Sequence, residues 1–192
     1  MDFASAVDNF LIQHKKDSDL EHLRLAIEEH CMFKVDTDAE QHVGVHLKWD
    51  DKNCTVRPSM DGHIEQALKE FEHVMPKNRH HSPSKHEYPR HRSRAWCTKI
   101  DESELLSLEQ ITFIQQVMGK LLHHARAVDP TMLHAINDVS LTVSKGTEET
   151  MKAVVHSLNC ASAHPNAKII HRASDMIPHA DSDAACLVTP EA

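Results

Sequence analysis

The sequence predicts an α+β fold in which helices dominate, and three observations predict it. Behind recognisable caps, apolar residues recur at helical spacing through most of the second half of the chain. Val43, Val45, Leu47 and Trp49 alternate with His42, Gly44, His46 and Lys48, which is strand period, and turn chemistry follows at Asp50 to Asn53. Near the N-terminus an apolar stretch, residues 3–12, is interrupted by Asp8 and Asn9.

In chain order, the interrupted strand leads into a helix. Ser18 and Glu21 have the spacing of a capping box, and Leu20, Leu23, Ile27 and Cys31 supply its apolar stripe. The alternating strand up to Trp49 returns over Cys54 to Met60. Pro58, which has no N–H to give, confines that return strand to a sheet edge. A second helix starts near Asp61, presents Ile64, Ala67, Leu68 and Phe71, and is ended by Pro76. Pro76, Pro83 and Pro89 then punctuate a basic, His-rich stretch with little apolar periodicity, which reads as a linker or mobile extended arm.

Three helices follow. Ser107 and Gln110 cap the first, with the stripe Ile111, Ile114, Met118, Leu121 and Ala125. Asp129 caps the second, with Pro130 at its first position and Met132, Leu133, Ile136 and Val143 along it. Thr147 caps the third, where Glu148 and Glu149 suit the helix dipole. Met151, Val154, Val155 and Leu158 line it until Pro165. Two strands, Ala167 to Arg172 and roughly Met176 to Val188, finish the chain. The resulting division is 1–75, 76–106, 107–165 and 166–192.

Composition narrows the function classes. With 40% apolar and 26% charged residues in 192, the chain is globular rather than disordered and long enough for one or two small cores. The net charge, 21 − 29 = −8, argues against a general polyanion binder. That charge is uneven: between residues 77 and 94, Lys77, Arg79, Lys85, Arg90, Arg92 and Arg94 face the single acid Glu87. The five cysteines are widely spaced with no C-x-x-C, which excludes a disulfide framework or zinc ribbon as the default. Residues 1–12 are too short and acidic for a signal peptide, and no apolar run approaches the ~18 residues of a membrane span. The expectation is a soluble intracellular protein, cytoplasmic or nuclear, with no membrane partner.

Ala6-Val7-Asp8-Asn9 followed by Phe10-Leu11-Ile12 is ordinarily a hairpin turn between apolar strands. Its context adds Gly62-His63-Ile64 opening a helix, Gly119-Lys120-Leu121-Leu122 within another, Ala127-Val128-Asp129-Pro130-Thr131, and Ser182-Asp183-Ala184 near the end. Taken in order across essentially the whole chain, these segments resemble the reverse transcriptase of copia-type retrotransposons running into its ribonuclease H. The resemblance implies a palm hairpin carrying Tyr-Val-Asp-Asp where Ala6 to Asn9 stand. It implies a Gly-x-Leu-Leu-Tyr-x-Ala helix at Gly119 to Ala125, and a ribonuclease H strand opening at Ser182 to Ala185. It further implies magnesium as cofactor, RNA and DNA template-primer as partner, and Asp8 and Asp183 as catalytic, metal-binding carboxylates.

Two-metal nucleotidyl transfer needs several carboxylates converging on paired magnesium ions, which favour oxygen ligands. Here Asn9 replaces the second palm Asp with a neutral amide, and Ala6 replaces the Tyr. Asp181 is an acid near Asp183 with no clear counterpart in that family. The expectation is therefore a transposable-element fragment, catalytically inactive by itself. Asp183 reads equally well as a solvated acid on an edge strand.

Two further readings belong to other classes. The six cations of residues 77–94 could contact nucleic-acid phosphates, although without interleaved aromatic rings they carry only the electrostatic half of a single-strand binder. The same arm could dock on an intact relative, and a solvated linker is the plain alternative. His80, His81, His86 and His91 contain no zinc-site spacing to support a metal.

The chain has 18 His against one Tyr. His123, His124, His156 and Cys160 sit on apolar helix faces where the resembled family places large rings. Tyr codons become His or Cys codons by single transitions, so the pattern fits a copy drifting without selection. A polar ring in a core wants a partner, so these helices should pack loosely and unfold early in acid.

Overall fold

The computed structural model describes residues 2–6, 9–85, 101–175 and 177. Helix and sheet are combined in an α+β arrangement, with five α-helices and a four-stranded antiparallel sheet among the described residues. The chain forms two units. One comprises Met1–Met60 with Lys168–Arg172, the other Asp61–Ala167 with Ala173–Ala192.

In the first unit, β1 (Asp2–Ala6) and β2 (Asn9–Gln13) make an antiparallel hairpin with Ala6 opposite Asn9. Helix α1 (Asp17–Glu28) begins after Lys16, an extended residue that makes no side-chain cap. The expected Ser18/Glu21 box does not form. Instead Glu21 accepts from Arg24 Nε at 2.9 Å and Nη2 at 2.6 Å, and Arg24 also reaches Glu28 at 2.5 Å. Two charge-assisted bonds in a fork outcompete one backbone N–H for that carboxylate. No residue of α1 is buried.

The expected strand from Val43 to Trp49 is corrected at its start. Val43 and Gly44 are a two-residue turn, both left-handed at φ 50° and 75°, between β3 (Gln41–His42) and β4 (Val45–Asp50). Such turns match the twist of the strands they join, and Gly44 takes that backbone without strain. Strand β5 (Thr55–Ser59) pairs with β4, Leu47 facing Pro58. It is not a plain edge, because β6 (His171–Arg172) pairs with Val56 and Thr55. That pairing ends at Val56, short of Pro58. The expected strand Ala167 to Arg172 thus contracts to its last two residues, and nearly all of the expected strand Met176 to Val188 lies outside the described residues.

In the second unit, α2 (His63–Glu70) starts from Gly62 at φ 78° and stops at Phe71, five positions before Pro76. Helix α3 (Leu108–Ala127) carries the expected capping box: Ser107 Oγ accepts from the Gln110 N–H, and Gln110 accepts from the Ser107 N–H. Asp129 accepts from the Thr131 N–H at the head of a 3-10 turn, Pro130–Met132, which feeds α4 (Leu133–Thr142). Helix α5 (Glu148–Ala163) is capped by Thr147 in a reciprocal box with Thr150. Thr147 Oγ1 also donates to Asp101. The stretch before α3 is tied to the same corner by Leu106 N–H to Gly146 O and Glu148 N–H to Glu104 O.

The core of this unit gathers Ile64 from α2, Ile114, Val117, Met118 and Leu121 from α3, Met132, Ile136 and Val139, and Val154 and Leu158 from α5. Phe71 meets Phe113 edge-on at its margin, a favoured aromatic geometry. The stripe expected for α5 is rotated slightly. Val155 is 40% exposed, whereas Ser157, Cys160 and Ala161 turn inward. Burial, with Asp129 nearby, pushes the Cys160 thiol up from its ordinary value.

Candidate nucleic-acid interface

Of the six cations expected to meet phosphate, Lys77, Arg79 and Lys85 are exposed, and among the described residues none of the three enters an ion pair. Arg90, Arg92 and Arg94 lie outside the described residues, as do Asp8 and Asp183 and the histidines His86 and His91. Asn9 is exposed at the first position of β2.

The arm carrying Lys77, Arg79 and Lys85 has no regular structure, as its prolines imply, yet it is not a free linker. Preceding it, His73 Nε2 meets Asn159 Oδ1 at 2.9 Å. His80 Nδ1 lies 3.1 Å from His156 Nδ1, and His81 Nδ1 lies 2.9 Å from His164 Nε2. His156 Nε2–H donates to Ser82 O at 3.0 Å, and Ser157 Oγ donates to Pro83 O at 3.1 Å. Residues 80–83 are therefore fastened along α5, and the correction to the mobile-arm expectation rests on these bonds. Sequence offered a partial signal: His156 and His164 are eight residues apart, two helical turns on neighbouring faces.

A second cationic feature was missed by sequence reasoning. In the β4–β5 register Lys48 stands directly opposite Arg57. Lys52 sits in the connecting turn, and all three line a cleft of about 410 Å³ together with Trp49, Asp50 and Asp51. Like charges directly opposite on a ladder repel, and an anion between them relieves that cost. Trp49, on the other face of β4, is 48% exposed, its indole N–H fixed on Ala39 O at 3.0 Å. Asp50 is occupied with the turn, accepting from the N–H and Nδ2 of Asn53, and these bonds hold its carboxyl below the usual range. The sequence misled here: a turn at Asp50 to Asn53 pairs Lys48 with Thr55, and only the observed turn one residue later, at Asp51 to Cys54, sets it opposite Arg57.

The helix-face histidines form a separate group. His63 Nε2–H donates to Lys120 O at 3.3 Å, and the His63 ring lies 5.7 Å from both His123 and His124. Burial lowers the pKa of His63 and of His124. Among the described residues no group of three or more His, Cys, Asp or Glu converges to hold a metal. No described helix is long and apolar enough to cross a membrane.

Comparison of the chain with protein-family models, with curated proteins and with solved structures finds no match. What it can do is thus argued from its cations. They offer exposed point charges flanking a fastened segment, and an opposed Lys/Arg pair on the β4–β5 ladder. Both are cationic features suited to an anion.

Proposed function

We propose that this chain derives from a copia-type retrotransposon reverse transcriptase, from the end of its palm through its connection into ribonuclease H, and that by itself it does not polymerise nucleic acid. The observation that carries the reading is the order of elements. A hairpin pairing Ala6 with Asn9, a helix, the β4–β5 hairpin, a short helix, and three helices capped at Ser107, Asp129 and Thr147 follow one another along the chain, and this order supports the reading. In this reading β1–β2 is the palm-type hairpin, α3 to α5 are the connection layer, and the sequence around Asp183 corresponds to the start of ribonuclease H. Loss of polymerisation rests on Asn9. A neutral amide supplies no charge to a paired magnesium site, so the described residues do not fit a two-metal centre, and no catalytic step is assigned to this chain.

Translating the DNA on both sides of the reading frame in all frames tests the origin. Fingers and palm segments upstream and further ribonuclease H acids downstream are expected, and flanks without either would sink it. Primer extension on an RNA template with magnesium tests the second half. No product is expected, and templated synthesis by the purified chain would refute it.

A second reading is favoured by the unpaired state of Lys77, Arg79 and Lys85: a nucleic-acid-binding or protein-interaction module working through residues 77–94. Substituting its six Lys/Arg by Gln should then abolish salt-sensitive binding to single-stranded RNA, and unchanged binding would exclude it.

A further inference from the structure

The segment from His80 to Pro83 lies along α5 by four bonds, and two of these join one imidazole to another. An imidazole–imidazole bond has a strict protonation requirement, since one nitrogen must donate and the other must keep its lone pair. At His156 the tautomer is set by its surroundings. Nε2–H donates to the Ser82 carbonyl, which can only accept, so in the neutral ring Nδ1 is bare and His80 Nδ1–H donates to it. A second proton on His156 would have to sit on Nδ1, facing the His80 N–H at 3.1 Å. The His81–His164 pair has the same property at 2.9 Å.

We propose that residues 80–83 form an acid-released strap, closed over α5 while each histidine pair keeps one proton and one lone pair between its rings and opened when both rings of a pair are protonated. This goes beyond the proposed origin and does not rest on it.

The groups facing the pairs favour release. His156 meets His80 and Lys85 from the strap, and no carboxylate of the described residues is among its electrostatic neighbours. A positive charge added to His156 is therefore opposed by burial, His80 and Lys85 and favoured only by the Ser82 carbonyl. Desolvation, then His80, lower the pKa of His156. Its folded state binds fewer protons than its open state, so closure is complete above about pH 6.5 and is lost as pH falls below that toward the depressed value. Beyond the histidine bonds, the strap's remaining hydrogen bond to α5 among the described residues is Ser157 Oγ to Pro83 O. Opening adds imidazolium charge beside the already exposed Arg79 and Lys85.

The test is 15N backbone relaxation on the full chain at about pH 7.5 and about pH 5.5, with far-UV circular dichroism alongside. Order parameters of residues 79–82, 84 and 85 are expected to fall from about 0.85 to below about 0.6 at the lower pH while α3 and α5 keep theirs and their helicity. In His80→Asn/His81→Asn the amide can donate to a neutral imidazole or accept from a charged one, so the order should persist at both pH values. In His80→Ala/His81→Ala it should be low at both. Equal order parameters of the wild type at both pH values, loss of the strap only together with the helices, or a pH response of the Asn pair like that of the wild type would each overturn the proposal.

Discussion

His63 and His124 lie face to face between α2 and α3, ring centroids 5.7 Å apart and planes 6° from parallel, and the deeper ring, His124, is 1% exposed with an Nδ1 that meets no partner. The charged and titratable groups around the pair are His123, Lys120 and Asp129 on the α3 side and Glu65 and Glu70 on α2. Burial leads the lowering of both pKa values. The folded state therefore binds fewer protons than the unfolded one below about pH 6.5, and stability contributed by the neutral rings is lost as pH falls through that region. Chemical denaturation between about pH 8 and pH 5 should show a falling midpoint below about 6.5. A flat profile would mean that these rings do not titrate on unfolding.

His124→Phe keeps a ring against His63 and removes the unpartnered nitrogen. An unsatisfied buried polar atom costs about 1–3 kcal/mol, so the variant should gain on the order of 1 kcal/mol after some loss to imperfect packing. It should also flatten part of the acid response. A thermal melt at pH 7 and at pH 5.5 reads both effects.

Ser107→Ala and Thr147→Ala each remove an N-cap and should cost about 1 kcal/mol in urea denaturation. Thr147→Ala should cost the more, because Thr147 also donates to Asp101 and anchors the stretch before α3. Equal losses would show that the Asp101 tie contributes nothing.

These caps also mark what could be read in the sequence. Ser107/Gln110, Asp129 with Pro130 and Thr147 signal helix starts through bonds that close within three residues, so local chemistry decides them. The Ser18/Glu21 signal was equally local but met a competitor, Arg24, on the same helix face. The β5–β6 pairing and the contacts of His80 and His81 with α5 join residues more than 70 apart, and no periodicity reports them. The candidate interface was legible as a run of cations. Its fastening to α5 and the Lys48–Arg57 opposition depended on tertiary and strand geometry.

Gly62 starts α2 at φ 78°, with nothing within 4 Å of the position a Cβ would take. Gly62→Ala should thus cost about 1–2 kcal/mol from backbone strain alone, with no steric collision. A loss below a few tenths would show that α2 can start from another backbone conformation.

If residues 77–94 bind single-stranded RNA, replacing Lys77, Arg79, Lys85, Arg90, Arg92 and Arg94 by Gln should lower the slope of log K against log salt by up to about 4. Lys48→Gln/Arg57→Gln should lower it by about 1.4 if the hairpin contacts phosphate as well. A slope unaffected by the second change would confine the interface to the arm.

Cys160 gives the second unit a clock of its own. Its thiol is buried and held protonated, whereas Cys31 and Cys54 are exposed. Followed at these three described positions, an alkylating reagent should mark Cys31 and Cys54 at once and reach Cys160 only when α5 parts from the core. The lag between these events therefore times a spontaneous breathing of the helices that no equilibrium measurement would resolve.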